Sequence, residues 1–218
     1  MTTPKLGFFH RFERSAKNDS MTLLGLHGTG GDENDLFEIA KAIRPAANIL
    51  CPRGKVLEGN ANRFFRRTAL GAFDLEDLRL RTKELKKFVS NAAKEYSFSE
   101  DALVGVGYSN GANMLVNLLL HYPDSISGVI LLRPLLPSKP VNIPDLSGKK
   151  VLVLAGKKDA LIFPAKTTEL LAYLEKTRCQ VQCEWLELGH DVSLADVDLA
   201  RVWIAGGFPE KTRQEICL

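Results

Sequence analysis

Ser109 stands in the stretch "GVGYSNGAN", with a glycine two residues to each side. A serine hydroxyl is a weak nucleophile until a base removes its proton. That base is most often a histidine, held in the right tautomer by a carboxylate. The G-x-S-x-G spacing has a physical reason only where a strand turns sharply into a helix. There the turn lifts the hydroxyl clear, and the small neighbours let the helix pack close. The apolar run "ALVGVGY" comes before this serine and "GANMLVNLLL" comes after it, which is that context. The competing reading is a glycine-rich turn whose serine merely caps a helix.

The histidine and the acid follow from chain order, which in such an arrangement runs serine, acid, histidine. Only His121 and His190 lie downstream of Ser109. About twelve residues of helix, at ~1.5 Å each, would carry His121 some 18 Å away, so it is excluded. His190 follows the alternating strand "VQCEWLEL" in "LGHD", at the carboxyl edge of a sheet. Asp159 follows "VLVLAGKK" at the same kind of edge, where sites of such sheets collect. Asp145 precedes that strand, Asp124 ends a helix, and Asp191 adjoins His190, so Asp159 is the expected acid. Attack on a carbonyl creates an oxyanion, which fixed backbone N–H groups stabilise. The Asn110 amide, at the start of the nucleophile's helix, and the Thr29 amide in "HGTGG" are the expected donors. "HGTGG" could instead turn around a phosphate, but it lacks the lysine of a P-loop and does not spell G-x-G-x-x-G.

These side chains need a scaffold. "FFHRF" reads as an edge strand, and "MTLLGLH", "NILCP", "DALVGVGYS", "SGVILLR", "KKVLVLAG" and "QVQCEWLEL" as further strands, most of them apolar on both faces. Helical spacing runs through "DENDLFEIAKAI", with Asp32 as its N-cap and Pro45 at its end, and through "LEDLRLRTKELKKFVSNAAKEY". "NGANMLVNLLLHYP", "PAKTTELLAYLEKT" and "SLADVDLARVWIAGG" complete the helices. Strand–helix alternation of this kind predicts an α/β fold with a mainly parallel central sheet covered on both faces, and the short insertion at 133–148 leaves no room for a large lid domain. One domain over 1–218 is the simple reading, since no repeat or low-complexity linker interrupts the chain. Residues 52–73 and 133–148 are expected to be irregular and to shape the site.

Composition narrows the function classes. The chain has 218 residues, 45% of them hydrophobic, with 29 basic residues against 26 acidic ones, a net charge of +3 that is near balance and gives no reason to invoke nucleic acid or an anionic membrane. The amino-terminal stretch lacks the apolar core of a signal peptide, and a cytoplasmic setting is expected. The four cysteines, Cys51, Cys179, Cys183 and Cys217, do not form a disulfide pattern. Cys179 and Cys183 would share a strand face about 13 Å apart, too far to bridge. Cys217 is misplaced for prenylation. Neither metal nor organic cofactor is expected.

Taken together, "LHGTGGDE", "PRG", "RFFRR", "GAFDLEDL", "GYSNGANM", "LAGKKD" and "LGHD" resemble the phospholipase/carboxylesterase family of α/β-hydrolases, the group that includes acyl-protein thioesterases. The resemblance runs along nearly the whole chain. It implies a Ser109–Asp159–His190 triad with a Thr29/Asn110 oxyanion hole. Asn110 and Thr29 depart from the glutamine and bulky aliphatic residue typical of the thioesterase branch, and the chain looks closer to small bacterial carboxylesterases. The implied activity is hydrolysis of short to medium acyl esters, with a small-molecule ester as substrate, through an acyl-enzyme. Thioesterase or lysophospholipase activity with the same triad, or a non-catalytic sensor of small ligands, are the other readings. A homodimer fits the family's habit. For the substrate pocket, Phe64 and Phe65 are expected as walls, Arg66 or Arg67 as partner of a substrate carboxylate, and Leu135 and Leu136 as lining. The alternative there is a solvated basic loop over structural phenylalanines.

Overall fold

In a strand buried on both sides, successive side chains serve opposite layers. Val129 and Leu131 belong to one apolar cluster, while Ile130 and Leu132 belong to the other. Val151, Val153 and Ala155 alternate with Leu152 and Leu154 in the same way. The computed structural model describes residues 6–17, 19–69 and 72–207. The readings made on Met1 to Lys5 and on Cys217 lie outside the described residues.

The strands that carry these residues form one seven-stranded sheet. In spatial order it runs β1 (His10–Glu13), β3 (Asn48–Pro52), β2 (Thr22–Leu26), β8 (Leu103–Tyr108), β9 (Gly128–Leu132), β10 (Lys150–Gly156) and β11 (Gln180–Leu186). Every neighbouring pair is parallel except β1 with β3. On one face lie α2 (Leu75–Tyr96), α3 (Asn110–His121) and α4 (Pro164–Glu175); their Leu78, Leu115 and Leu170 share a cluster. On the other lie α1 (Phe37–Ile43) and α5 (Leu194–Ala205), through Phe37, Ala40, Val197 and Ala200. The fold is therefore α/β, with a mostly parallel sheet between two helical layers. Among the described residues no helix is long and apolar enough to cross a membrane.

Two local expectations change. The first helix begins at Phe37, not after Asp32, and Leu36 precedes it without a side-chain cap. The polar run ahead of it satisfies its own backbone instead: the Asn34 amide donates to Asp32 Oδ1 at 2.8 Å and the Asp32 amide to Asp35 Oδ2 at 2.7 Å. Such short-range bonds compete with helix formation. Residues 52–73 are not wholly irregular. They hold two small antiparallel pairs, β4 (Val56–Glu58) with β5 (Ala61–Arg63) and β6 (Arg67–Ala69) with β7 (Ala72–Phe73). Residues 133–148 carry neither strand nor α-helix. Cys51, Cys179 and Cys183 are free thiols, and burial pushes the Cys51 thiol up to about 12, which makes it inert.

Candidate active site

Ser109 occupies the turn between β8 and α3 with φ 50° and ψ −112°, a left-handed backbone rare for a residue with a Cβ. The surrounding packing holds that strain. The Ser109 amide donates to Leu132 O at 2.9 Å, and Ser109 O accepts from the Asn113 amide at 3.0 Å. Close approach of α3 explains the two flanking glycines. A Cβ on Gly107 would meet Ala112 backbone at 2.8 Å, and one on Gly111 would lie 2.0 Å from Leu26 O. Backbone cannot swing aside, so Gly111→Ala is expected to destabilise the fold by about 3 kcal/mol, the upper end for an overpacked site. Denaturant midpoints of the two chains measure that loss.

The loops after β10 and β11 carry the other two groups. Asp159 is 3% exposed. Its Oδ1 accepts from the Leu161 and Ile162 amides, both at 2.8 Å, which aims Oδ2 at the neighbouring loop. His190 Nδ1 lies 2.8 Å from that Oδ2, and its Nε2 lies 3.0 Å from Ser109 Oγ. A carboxylate can only accept, so Nδ1 carries the proton and Nε2 turns its lone pair toward the hydroxyl. Three residues separated by 50 and 31 positions along the chain thus form one hydrogen-bonded row. It lies at the carboxyl edge of the sheet, where open α/β sheets bind ligands.

Behind His190 stands a buried ion pair absent from the sequence reading. Arg133, just past β9 and itself at φ 54°, is 1% exposed, and its partner Asp196 is 0% exposed. The guanidinium binds both Asp196 oxygens, at 2.7 and 3.0 Å, and donates to Leu154 O at 3.0 Å. It also donates to Gly189 O at 3.0 Å and Asp191 O at 2.7 Å, one on each side of His190.

Beside the serine, the "HGTGG" loop is fixed by buried His27. Nδ1 of His27 pairs with Gly28 O at 2.6 Å and Nε2 accepts from the Gly54 amide at 2.9 Å. That second bond needs a neutral ring, and burial lowers the His27 pKa in the same sense. Residues 62–64 then clasp the loop to α3. Gly30 N donates to Asn62 O at 2.9 Å and Asn62 Nδ2 to Gly31 O at 2.9 Å. Arg63 Nη1 donates to Thr29 Oγ1 at 2.6 Å, and Phe64 N donates to Asn110 Oδ1 at 2.7 Å. Among the described residues neither the Thr29 nor the Asn110 backbone amide has a hydrogen-bond acceptor.

A cleft of about 300 Å³ opens over Ser109 and His190. Thr29, Asn110, Arg67 and Leu135 line it, as do Arg63, Phe73, Leu161 and Ile162. Phe64 and Phe65 do not: at 2% and 0% exposure they belong to the main apolar cluster, so they anchor the loop from beneath. Arg66 also lies away from the cleft, paired with Asp74 at 3.2 Å and Asp77 at 3.5 Å. Leu136 packs on the same cluster as the phenylalanines. Arg63 lines the cleft although nothing in "RFFRR" distinguishes it from Arg66 and Arg67; its place opposite Val56 in the β4–β5 hairpin turns it to the cleft.

A mostly parallel sheet between two helical layers, with a strained serine at its carboxyl edge, defines the α/β-hydrolase class. No family model matches the chain. It is 40% identical over 194 residues to the "Putative hydrolase MhqD" of Bacillus subtilis (strain 168), covering 89% of this chain and 96% of that one. The Bacillus cereus carboxylesterase structure is 40% identical with a TM-score of 0.88, covering 91% of this chain and 94% of that one. A carboxylesterase structure from Mesorhizobium loti is 30% identical with a TM-score of 0.87, covering 93% and 97%. The chain belongs to the family of small bacterial carboxylesterases.

Proposed function

We propose that this chain hydrolyses carboxylic esters with short to medium acyl groups, using Ser109 as nucleophile, His190 as base and Asp159 as its orienting acid. The observation that carries this reading is the row of hydrogen bonds from Asp159 through His190 to Ser109, at 2.8 and 3.0 Å, on the floor of the cleft. As Ser109 Oγ attacks the ester carbonyl carbon, His190 Nε2 takes its proton. The ring becomes an imidazolium, whose Nδ1–H the Asp159 carboxylate stabilises. The carbonyl oxygen becomes an oxyanion facing the Thr29 and Asn110 amides. Collapse breaks the bond to the alkoxy oxygen, which leaves as the alcohol with the proton from Nε2. A water molecule then gives its proton to Nε2 and attacks the acyl carbon. The second collapse returns that proton to Ser109 Oγ and frees the acid.

The size of the cleft supports small acyl groups: about 300 Å³ is at the lower limit for ligand pockets. Leu135, held by its amide on Asn113 Oδ1 at 2.8 Å, and Ile162 supply apolar surface for such a chain. Two measurements test the reading. A fluorophosphonate should label the native chain at Ser109, and Ser109→Ala should not be labelled. A panel of p-nitrophenyl esters, thioesters and aryl amides should show highest kcat/KM on the esters and a decline with acyl length. Absence of labelling, with no turnover of any member of the panel, would remove hydrolysis and leave the fold as a ligand sensor.

A further inference from the structure

We propose that Arg63 and Arg67 form an anion-recognition subsite in the cleft, and that the esters taken there carry a second, ionised carboxylate, as in half-esters of short dicarboxylic acids. The inference rests on the ester-hydrolase reading for its chemistry and on an uneven distribution of charge for its specificity.

Arg63 is 3% exposed, and a guanidinium so buried needs compensating charge. Its protein partners fall short. Nη1 is used by Thr29 Oγ1 at 2.6 Å and Nε by Phe65 O at 3.2 Å. Its one ion pair among the described residues is with Glu58, at 3.4 Å. That carboxylate is already held by Arg67, through Nε at 2.8 and 3.0 Å and through Nη2 at 2.5 Å. Two guanidiniums therefore share one carboxylate, and a positive charge is left over on the cleft wall. Burial, with the like charge of Arg67 beside it, pulls the Arg63 guanidinium below its ordinary value. Nη2 of Arg63 has no hydrogen-bond partner among the described residues. The adjoining Asn110 carboxamide, fixed by the Phe64 amide, has a buried Nδ2 that also lacks one. Arg66, by contrast, lies outside the cleft with two carboxylates of its own.

Beyond the serine, the histidine and the Thr29 and Asn110 loop ends, the lining is mostly apolar: Phe73, Leu135, Leu161 and Ile162, with Tyr108 and Asn113 as its polar members. A cleft with one cationic wall, mostly apolar sides and a nucleophile on its floor suits a short carbon chain with an ester at one end and a carboxylate at the other. Guanidinium and carboxylate match in geometry, and charge-assisted bonds of this kind are about twice as strong as neutral ones.

Two paired comparisons test the subsite, and each uses the same acyl skeleton with a carboxylate or a methyl at its end. In the first, Ser109→Ala is titrated calorimetrically with monomethyl glutarate and with methyl valerate. The half-ester should bind at least about tenfold tighter, the effect of one charged hydrogen bond, and the preference should shrink with added salt. Adding Arg63→Gln or Arg67→Gln should each cut it to threefold or less. In the second, the native chain should show at least tenfold higher kcat/KM on mono-p-nitrophenyl glutarate than on p-nitrophenyl valerate. The same substitutions should collapse that ratio. Arg63 also holds Thr29, so its loss lowers both rates and the ratio is the readout. Arg67 is partly exposed, which keeps the test available if Arg63→Gln does not fold. Equal affinity for the two ligands in Ser109→Ala, or a preference that survives both arginine substitutions, overturns the subsite. A native chain that cleaves neither ester, while Ser109→Ala still selects the half-ester, removes the hydrolase reading and retains the subsite.

Discussion

Asp159→Asn should lower kcat by about four orders of magnitude while leaving the fold intact, because it changes the tautomer of one imidazole. Asp159 uses its two oxygens differently. Oδ1 takes the Leu161 and Ile162 amides, and Oδ2 takes His190 Nδ1. An asparagine keeps its oxygen on the two amide donors, since an NH₂ group turned toward them would leave buried donors facing one another. The NH₂ then replaces Oδ2 and points a hydrogen at Nδ1. The ring answers by placing its own proton on Nε2, which now faces Ser109 Oγ with a hydrogen instead of a lone pair. No base remains.

KM should change only a few-fold, since Asp159 does not line the cleft. Labelling by a fluorophosphonate should slow by a factor similar to that on kcat, because both reactions need the same proton transfer. Asp159→Ala provides the contrast. It removes the acceptor of two loop amides as well, so it should destabilise by about 1–3 kcal/mol in addition to losing activity. An asparagine variant within tenfold of native kcat would mean that His190 gets its orientation elsewhere, and the proposed mechanism would lose its acid.

The sequence makes some of these relations legible and hides others, for physical reasons. Strands such as "GVILL" and "VLVLA" are apolar at every position because both faces are covered, and this announces a parallel sheet. Helix α3 is apolar around most of its circumference because it packs against the sheet beneath Ser109. Ser109, Asp159 and His190 could be singled out because a parallel sheet puts its functional loops on one edge, so chain order alone limits the choices. Buried charge escapes such reasoning. Arg63 and Arg133 look like surface residues by type, and partners remote in sequence, Thr29 for one and Asp196 for the other, help to hold them inside. The start of α1 is hidden for a different reason: side chains 32–35 bond to nearby backbone, an outcome that periodicity does not register. Phe64 and Phe65 mislead in the opposite sense, because an apolar pair beside a site can as well be the floor that carries a loop.

Arg133 tests whether such a hidden charge is only structural. Arg133→Met should destabilise the chain by about 3–5 kcal/mol, since Asp196 would remain buried with no countercharge. Asp196 also caps α5, accepting from the Ser193 amide at 2.8 Å and from its hydroxyl at 2.9 Å. Asparagine at 196 can keep an oxygen there while shedding the charge, so Arg133→Met/Asp196→Asn should regain much of the lost stability. It should not regain activity. The guanidinium's bonds to Gly189 O and Asp191 O fix the backbone on both sides of His190, and methionine offers neither. A displacement of the ring by about 1 Å is enough to cost on the order of a hundredfold in rate. Arg133 is thus a positioning residue, and the double variant should combine a near-native unfolding midpoint with a kcat about a hundredfold down and KM little changed. If stability and kcat return together in the double variant, the pair serves the core alone, and His190 is aligned by Asp159 without help.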